Sequence, residues 1–96
     1  MRTFHVYILA SRKDGTLYTG VTSNLLRRAW EHRTSAVRGF TSRYSVKRLV
    51  YVEEHSTAEG VIKREKAIKS WPRRWKIELI EKDNPNWFDL YNQLNW

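Results

Sequence analysis

The segments FHVYILA at Phe4–Ala10 and TLYTGV at 16–21 decide the fold, because they follow one another with only a short turn between them. Both alternate as β-strands do, and the KDG sequence at 13–15 supplies a turn whose glycine can adopt positive φ. We therefore predict a β-hairpin. Cross-strand partners in a hairpin have a constant sum of residue numbers, so any loop with an even number of residues places Tyr7 and Tyr18 on one face of the sheet.

A helix is predicted directly after the hairpin, from about residue 24 to 34. The TSN sequence at 22–24 offers side-chain oxygens for its N-cap. Its apolar arc consists of Leu25, Leu26, Ala29 and Trp30. Arg28 and His32 border that arc and, being four residues apart, lie on one edge of the helix, where a cleft can form between helix and sheet. Arg33 falls inside the arc, which fraying of the helix end or snorkelling of the arginine stem would accommodate.

Residues 34–47 (TSAVRGFTSRYSVK) are rich in small polar residues, and we predict a mobile, basic loop. Aromatic side chains in such a loop, here Phe40 and Tyr44, can stack on unpaired bases while cations neutralise phosphates. Side chains that bind nucleic acid are therefore expected at Arg38, Arg43 and Lys47. The alternative is a solvated loop that Phe40 anchors to the domain.

The remaining chain predicts a third strand at 49–53, a helix from 56 to about 70, and another from about 72 to 82. An NPN sequence then separates residues 1–83 from an aromatic tail at 84–96, which we expect to pack back on the same domain as a short helix. The predicted fold class is α/β (α+β): a small, three-stranded, mostly antiparallel sheet flanked by helices.

Glu65 stands where the later helix should be apolar. At 100° per residue, the inward arc of that helix consists of Ala58, Val61, Ile62, Ile68 and Trp71, and Glu65 lies within it. An unpaired buried carboxylate is strongly unfavourable, so Glu65 needs a partner or a raised pKa. An ion pair with Lys69, one turn on, is the simple explanation. A divalent ion is the other, because one carboxylate together with phosphate and water oxygens is a usual way to hold Mg²⁺.

Composition limits the classes of partner. The 96 residues are sufficient for one domain, and five Trp can supply a core. Since the chain has no cysteine, disulfides and thiolate metal sites are excluded. The formal charge of +8 favours a polyanion, with nucleic acid as the first candidate and a merely basic surface as the alternative. No apolar stretch approaches the roughly 20 residues of a membrane span, so we expect a cytoplasmic protein without membrane association.

Together these residues resemble the GIY-YIG nuclease superfamily across nearly the whole chain, most closely its small, stand-alone bacterial members. HVY at 5–7 is similar to the family's first signature and YTG at 18–20 to the second, each with its tyrosine. The family's order and spacing continue through Asn24, Leu25, Arg28 and His32. Glu65 matches the family's metal-binding glutamate, in agreement with its position on an otherwise apolar helix face. Some members have an additional Asn or Lys in the site, which has no secure counterpart here.

The resemblance implies a GIY-YIG-like fold and hydrolysis of DNA phosphodiester bonds, with Tyr7, Tyr18, Arg28, His32 and Glu65 as catalytic residues. A single Mg²⁺ or Mn²⁺ on Glu65 would stabilise charge at the scissile phosphate and the leaving oxygen. Arg28 would neutralise a nonbridging oxygen, and His32 would accept a proton or orient the phosphate. One of the tyrosines would orient or deprotonate the attacking water, which requires its pKa to be lowered by Arg28 or by the metal.

Two other classes of function stay open. One is a noncatalytic module whose basic loop and helices contact nucleic acid without cutting it, and the other is a protein-interaction adaptor with an exposed apolar patch at Trp87 and Phe88. DNA, recognised by its structure or as a single strand, is the expected partner, in repair or recombination. A protein partner that supplies specificity is compatible with the absence of a base-reading motif. The oligomeric state does not follow from the sequence.

Overall fold

A computed structural model describes residues 3–36 and 38–94. Outside the described residues lie 1, 2, 37, 95 and 96. The predicted segments 1–83, 34–47 and 84–96 each include some of them. The elements in chain order are β1 (Phe4–Ala10), β2 (Leu17–Thr22), α1 (Leu25–Thr34), α2 (Phe40–Arg43), β3 (Arg48–His55), α3 (Ala58–Ser70) and α4 (Arg73–Asp83). A short 3-10 helix, Leu90–Gln93, follows them.

The strands form one sheet in the order β2-β1-β3, and both neighbouring pairs are antiparallel. The predicted fold class, a three-stranded antiparallel sheet flanked by helices, is confirmed. In the hairpin, β1 pairs with β2 so that Tyr7 lies opposite Gly20 and Leu9 opposite Tyr18. Because side chains alternate between the two faces of a strand, both tyrosines lie on one face, as predicted.

The turn of the hairpin differs from the prediction in one detail. Positive φ falls on Asp14, at 59°, and not on Gly15. Aspartate tolerates this conformation better than most residues. Gly15 is needed for space instead, because a Cβ there would lie 2.9 Å from Cγ of Arg12 and closer still to the hydroxyl of Ser11.

Each face of the sheet carries its own apolar layer. On one face, Val6, Ile8 and Ala10 of β1 pack with residues from α3 and α4, among them Val61, Ile68 and Ile80. On the other face, Tyr7 and Leu9 pack with Leu49 and Val46, and with Leu25 at the start of α1. Helices α1 and α3 therefore lie on opposite faces of a sheet whose edge strands are β2 and β3.

The first helix explains the arginine that the sequence placed in its apolar arc. Arg33 forms an ion pair with Asp89, beyond α4, and its guanidinium lies 4.4 Å from the ring centroid of Tyr91. Arg33 is therefore compatible with the apolar arc because Asp89 of the C-terminal segment neutralises its charge there. Trp30 was predicted to be part of the arc, but it is 49% exposed. The apolar stripe of this short helix is narrower than predicted, with Ala29 as its buried residue.

The prediction of a loop throughout residues 34–47 is wrong at its centre. Helix α2 occupies Phe40–Arg43, and Thr41 and Val46 are buried. A backbone hydrogen bond of 2.8 Å from the amide of Val46 to the carbonyl of Thr41 closes the turn that follows. The buried residues that fix this segment are therefore Thr41 and Val46, whereas Phe40, the anchor considered from the sequence, is 47% exposed.

Helix α3 has a narrower buried face than its periodicity suggested. Val61 and Ile68 are buried, whereas Ile62 is 44% exposed and Ala58 is exposed. Ile62 is displaced by 100° from Val61 around the helix, which takes it off the sheet. The C-terminal segment contributes Trp87, which is fully buried in the same layer, while Phe88 is 62% exposed. The apolar patch expected for a protein adaptor at Trp87 and Phe88 is therefore reduced to one ring. No helix within the described residues is long and apolar enough to cross a membrane.

Candidate active site

Tyr7 lies over the backbone of β2, where a glycine leaves room for it. An ideal Cβ at Gly20 would lie 2.5 Å from the Tyr7 hydroxyl oxygen and 2.6 Å from its Cζ. A side chain at position 20 would therefore displace the phenol. Strands disfavour glycine, and the close approach of the ring is the physical reason for one here. Tyr7 is 2% exposed, so its hydroxyl is held within the protein.

A hydrogen-bonded chain runs from Tyr7 through His32 to Thr41. The Tyr7 hydroxyl oxygen lies 3.0 Å from Nε2 of His32, and Nδ1 of the same ring lies 2.9 Å from Oγ1 of Thr41. The three residues come from β1, α1 and α2, so three elements fix the imidazole. A neutral ring whose Nδ1–H donates to Thr41 presents Nε2 as the acceptor for the Tyr7 hydroxyl.

Burial sets the proton affinities of this pair. Burial raises the pKa of Tyr7 well above its usual value of 10.0, neighbouring Tyr18 adds to the increase, and Arg28 opposes it. Burial also lowers the pKa of His32 below 6.5, and Arg28 lowers it further. Near pH 7 the phenol is therefore protonated and the imidazole neutral. Arg28 acts on the pKa of Tyr7 in the expected direction, but burial outweighs this cation and the net pKa is raised. Lowering of the pKa by a bound metal stays a prediction.

Tyr18 extends the site from the interior towards the surface. Its ring centroid lies 6.3 Å from that of Tyr7 and 5.6 Å from that of His32. On its other side the ring stacks on Phe40, with centroids 6.3 Å apart and planes inclined by 26°. Tyr18 is half-buried, so it lies between the enclosed ring of Tyr7 and the exposed ring of Phe40 on α2.

Arg28 lines a polar cleft at the N-terminal turn of α1. The cleft has a volume of about 190 Å³ and is lined by Thr22, Ser23, Asn24, Arg27, Arg28 and Glu31. Asn24 caps the helix, because its Oδ1 accepts a hydrogen bond from the backbone N–H of Arg27 at 3.2 Å. Two guanidinium groups beside a helix N-terminus provide positive potential for an anion. We refer to this feature as the Arg28 cleft.

Glu31 is the acid of the Arg28 cleft. Its two carboxylate oxygens lie 3.4 Å from Nε of Arg28 and 3.4 Å from Nε of Arg27, and its side chain is 16% exposed. At Tyr7 its charge adds to burial in raising the pKa, and at His32 it opposes burial. Glu31 stands three residues after Arg28, and this spacing is the sequence signal that could have placed it in the site.

Glu65 lies on α3 and so belongs to the opposite face of the sheet from the tyrosines. Its side chain is 14% exposed and forms an ion pair with Lys69, the simpler of the two explanations open from the sequence. No hydrogen bond, ion pair or ring contact among the described residues joins Glu65 to Tyr7 or His32. Helix α3 packs across both β1 and β2. Since β2 is an edge strand, a ligand that reaches around this edge can meet groups from both faces.

The side chains of the site could hold a hard divalent ion only through few protein ligands. The described residues contain no group of three or more His, Asp or Glu side chains that could hold a metal. Glu65 offers a largely buried carboxylate, which suits a Mg²⁺ or Mn²⁺ whose other ligands are water and phosphate oxygens. Lys69 would have to release the carboxylate. His32 does not fit as a further ligand, because Tyr7 and Thr41 engage both of its ring nitrogens.

Exposed aromatic and basic side chains surround α2. Phe40 and Tyr44 are 47% and 53% exposed, with ring centroids 4.9 Å apart. Of the three cations expected to bind nucleic acid, Arg38 and Arg43 are exposed and Lys47 is partly buried. Phe40 connects this segment to the site through its stacking on Tyr18.

Thr41 is the member of the site that sequence reasoning missed. Serine and threonine recur throughout residues 34–47, so no spacing or periodicity distinguishes the one hydroxyl that meets His32. A prediction of helix α2 would have identified Thr41, because it is the buried residue of that helix.

Comparison with known proteins agrees with this arrangement. The family model of the GIY-YIG catalytic domain matches residues 3–78. A UPF0213 protein of Syntrophus aciditrophicus is 43% identical over 83 residues, which cover 84% of this chain and 92% of that protein. A UPF0213 protein of Desulfotalea psychrophila is 40% identical over 88 residues, which cover 90% of this chain and 78% of that protein.

A solved structure shares the fold. The solution NMR structure of a UPF0213 protein from Bacillus halodurans has a TM-score of 0.54 and 30% sequence identity, and the match covers 85% of this chain and 86% of that one. None of these names states an activity. The matched range includes both tyrosines, Arg28, His32 and Glu65. This chain therefore belongs to the GIY-YIG nuclease superfamily, among its small UPF0213 proteins.

Proposed function

We propose that this protein is an endonuclease that hydrolyses DNA phosphodiester bonds with one divalent ion, Mg²⁺ or Mn²⁺, in DNA repair or recombination. The observation that carries the proposal is the hydrogen bond between Tyr7 and His32, together with the guanidinium of Arg28 whose charge acts on both. A protonated phenol, a neutral acceptor and a fixed cation are the groups that water activation and phosphate binding require. Membership of the superfamily supports DNA as the substrate.

The proton path begins at the attacking water. Because the pKa of Tyr7 is raised, a free phenolate is not the base. Instead, the Tyr7 hydroxyl accepts the proton of the water while it passes its own proton to Nε2 of His32. Burial and Arg28 disfavour the imidazolium that forms, the charge of Glu31 partly offsets this effect, and Thr41 orients the ring. General-base catalysis of this kind contributes roughly 10²–10⁴-fold to a rate.

Arg28 is proposed to bind a nonbridging oxygen of the scissile phosphate. Glu31 holds the Arg28 and Arg27 side chains along the cleft, which lowers the conformational entropy that each would lose on binding. A phosphate that enters the cleft competes with Glu31 for these cations. The bidentate geometry of guanidinium suits this contact better than an ammonium group would.

Glu65 is proposed to hold the divalent ion at the β2 edge. When bound, this ion would supply Lewis-acid stabilisation of the leaving oxygen. Lys69 neutralises the partly buried carboxylate in the protein alone. If Glu65 held the ion, the Lys69 ammonium group would be free to contact the DNA backbone as a further cation.

Helix α2 and its flanks are proposed to contact the DNA beside the scissile bond. Phe40 and Tyr44 present exposed rings next to Tyr18. Arg38, Arg43 and Lys47 would neutralise neighbouring phosphates. Contacts of this kind position the strand without identifying its sequence, so recognition by structure or by a protein partner is the form of specificity we propose.

A nicking assay tests the proposal. The native chain is incubated with Mg²⁺ on duplex, branched, flapped and single-stranded DNA, beside Glu65→Gln, Arg28→Lys and Arg28→Ala. We expect Glu65→Gln and Arg28→Ala each to slow cleavage by about 100-fold or more, because each removes charge stabilisation of the transition state. Arg28→Lys keeps the charge but loses the planar fork, and should be intermediate.

Glu59→Gln is the matched control, because Glu59 is an exposed acid in the first turn of the same helix as Glu65. It should cleave within about twofold of the native chain, as expected for a surface substitution. Unchanged cleavage by both Glu65→Gln and Arg28→Ala would remove the proposed site. Tight, salt-sensitive binding without metal-dependent cleavage by the native chain would instead identify a noncatalytic nucleic-acid-binding module.

A further inference from the structure

Helices α3 and α4 meet at a corner that carries two indoles, the partly buried Trp71 and the exposed Trp75. Trp71 ends α3 in an extended conformation, and Pro72 directly precedes α4. The two Trp rings lie edge to face, with the centroids of Trp71 and Trp75 5.9 Å apart and the planes inclined by 73°. They line an open groove of about 330 Å³ together with Glu78, Leu79 and Lys82. We call this feature, with Lys69, Arg73, Arg74 and Lys76, the Trp71–Trp75 corner.

The corner holds one indole fixed and leaves the other open. The guanidinium of Arg64 lies 5.1 Å from the ring centroid of Trp71, and its Nε donates to both carboxylate oxygens of Glu53 at 3.0 and 3.2 Å. Arg64, which Glu53 fixes in position, therefore packs on the Trp71 ring and restricts its movement. Trp75 is 47% exposed, whereas Trp87 of the same chain is fully buried. An exposed flat ring beside a fixed one offers a surface for a third ring.

Cations surround the corner. Residues 66–77 contain no acid and carry the cations Lys66, Lys69, Arg73, Arg74 and Lys76. Nη2 of Arg73 donates to the carbonyl oxygens of Asp14 and Gly15 at 2.7 and 2.6 Å. This contact joins the corner to the β1–β2 loop. At the rim, Glu78 lies 3.7 Å from Arg74, and both side chains are largely exposed.

The basic run also leads to the proposed metal ligand. Lys69 forms the ion pair with Glu65, and its carbonyl oxygen accepts a hydrogen bond from Nζ of Lys76 at 3.4 Å. A polyanion that follows these cations away from Glu65 therefore arrives at Trp75. The row of cations favours binding of a phosphate backbone at the corner. The exposed indole favours a ligand that also carries a planar group able to stack on it.

We propose that the Trp71–Trp75 corner binds a single-stranded segment of DNA, with one unpaired base stacked on Trp75 and the adjoining phosphates on Arg74 and Lys76. Stacking on an indole does not depend on the identity of the base, and cations along the groove follow the strand. A paired base in a duplex exposes no free face, so the corner favours DNA with an unpaired arm. This inference rests on the proposed function and narrows its substrate class to branched or flapped DNA.

The test measures binding of fluorescently labelled oligo-dT and of a blunt duplex by anisotropy, for the native chain, Trp75→Ala, Trp75→Leu and Phe88→Ala. Leucine keeps apolar bulk on the helix but removes the flat aromatic face. We expect both Trp75 variants to bind oligo-dT about tenfold or more weakly, with duplex binding changed less than twofold. Phe88→Ala removes an even more exposed aromatic, 62% against 47% for Trp75, that lies outside the basic run, and it should bind both probes as the native chain does.

Native-like binding of oligo-dT by Trp75→Leu would overturn the inference, as would an equal loss of oligo-dT and duplex binding. Thermal unfolding of each variant shows that the compared proteins are folded, and Trp75→Leu decides the matter if Trp75→Ala is not. Cleavage of a flapped substrate is measured in the same samples. If the native chain cleaves the substrate but the Trp75 variants bind oligo-dT normally, only the proposed DNA site at the corner is contradicted. If the Trp75 variants bind oligo-dT more weakly but the native chain does not cleave, only the proposed nuclease activity is contradicted.

Discussion

The hydroxyl oxygen of Tyr7 lies 3.0 Å from Nε2 of His32, although the two residues come from a strand and a helix 25 positions apart. Burial raises the pKa of the phenol and lowers that of the imidazole. The pair is therefore held in the protonation states in which the phenol donates and the imidazole accepts. The proton of the Tyr7 hydroxyl therefore has an acceptor in His32, and this contact supports the catalytic role that we propose for Tyr7.

Acidification should inactivate the protein below pH 6.5. The pKa of His32 is lowered from 6.5 by burial and by Arg28, so the ring stays neutral to a lower pH than free imidazole. Protonation occupies Nε2 and removes the acceptor. We expect the acid limb of kcat/KM for cleavage, measured between pH 5 and 8, to have its midpoint below 6.5. In His32→Gln that limb should disappear and the rate at pH 7.5 should fall by about 100-fold. A midpoint above 6.5 would contradict the neutral-imidazole assignment.

Gly20→Ala should damage the site through Tyr7. The new methyl group would lie 2.5 Å from the Tyr7 hydroxyl oxygen, so the ring must move away from His32. We expect a stability loss of about 1–3 kcal/mol from overpacking and a larger proportional loss of cleavage, measured by urea unfolding and by nicking rate. Gly60→Ala, on the first turn of α3, approaches only Thr57 and His55. If Gly20→Ala cleaves as fast per folded molecule as Gly60→Ala does, the close approach of Tyr7 to β2 has no part in activity.

Asp89→Ala should detach the C-terminal segment from α1 and β3. Asp89 pairs with Arg33 and accepts hydrogen bonds from the backbone N–H groups of Leu49 at 3.2 Å and Tyr91 at 3.0 Å. Its removal leaves those donors without this acceptor, at a cost of roughly 2 kcal/mol in the free energy of unfolding. Asp83→Ala, at an exposed position at the end of α4, should change stability by less than about 0.5 kcal/mol. Equal urea midpoints for the two variants would show that the contacts of Asp89 contribute nothing to the free energy of unfolding.

Glu53 should make stability depend on pH in the acid range. Burial acts to raise its pKa, but hydrogen bonds from Tyr51, Arg64 and His55 outweigh it and lower the pKa below 4.5. A group with a lowered pKa in the folded state contributes stability above its unfolded pKa, and that contribution is lost as pH falls through the folded value. We expect Tm to fall between about pH 5 and pH 3, and Glu53→Gln to flatten that part of the curve.

The exposed neighbour Glu54 provides the matched control, since its side chain is 72% exposed. Glu54→Gln should reproduce the native Tm curve. If the slopes of the native chain and Glu53→Gln coincide between pH 5 and 3, the Tyr51–Glu53–Arg64 cluster does not stabilise the ionised carboxylate.

The hairpin and the shared face of the two tyrosines follow from the sequence, because strand parity is a local property that a loop of even length preserves. The start of α1 at its Asn24 cap is likewise local. The role of Arg33 is not, because its partner Asp89 lies 56 residues further along the chain. Helix α2 is also invisible to periodicity, since four residues are too few to show a repeat and the contacts that hold it are tertiary.

The chemistry of the site was predictable in its residue types more than in its proton affinities. Arg28 and His32 fall on one helix edge by spacing alone. The direction of the Tyr7 pKa depends on how deeply the ring is enclosed, which the sequence does not define. Glu65 stands out on the helical wheel, yet its distance from the tyrosines depends on how α3 crosses the edge strand β2. Trp75 shows the same limit, because a helical pattern does not reveal which indole a neighbouring element fails to cover.

Tyr7→Phe tests the central claim most directly, because it removes one oxygen atom and leaves the packing of the ring over Gly20 in place. The measurement is the single-turnover rate of Mg²⁺-dependent cleavage at saturating DNA, together with the affinity for the same DNA. If Tyr7 passes the proton of the water to His32, the rate falls by about 100-fold or more while the affinity stays within about twofold. A variant that cleaves at the native rate would contradict the Tyr7–His32 proton path.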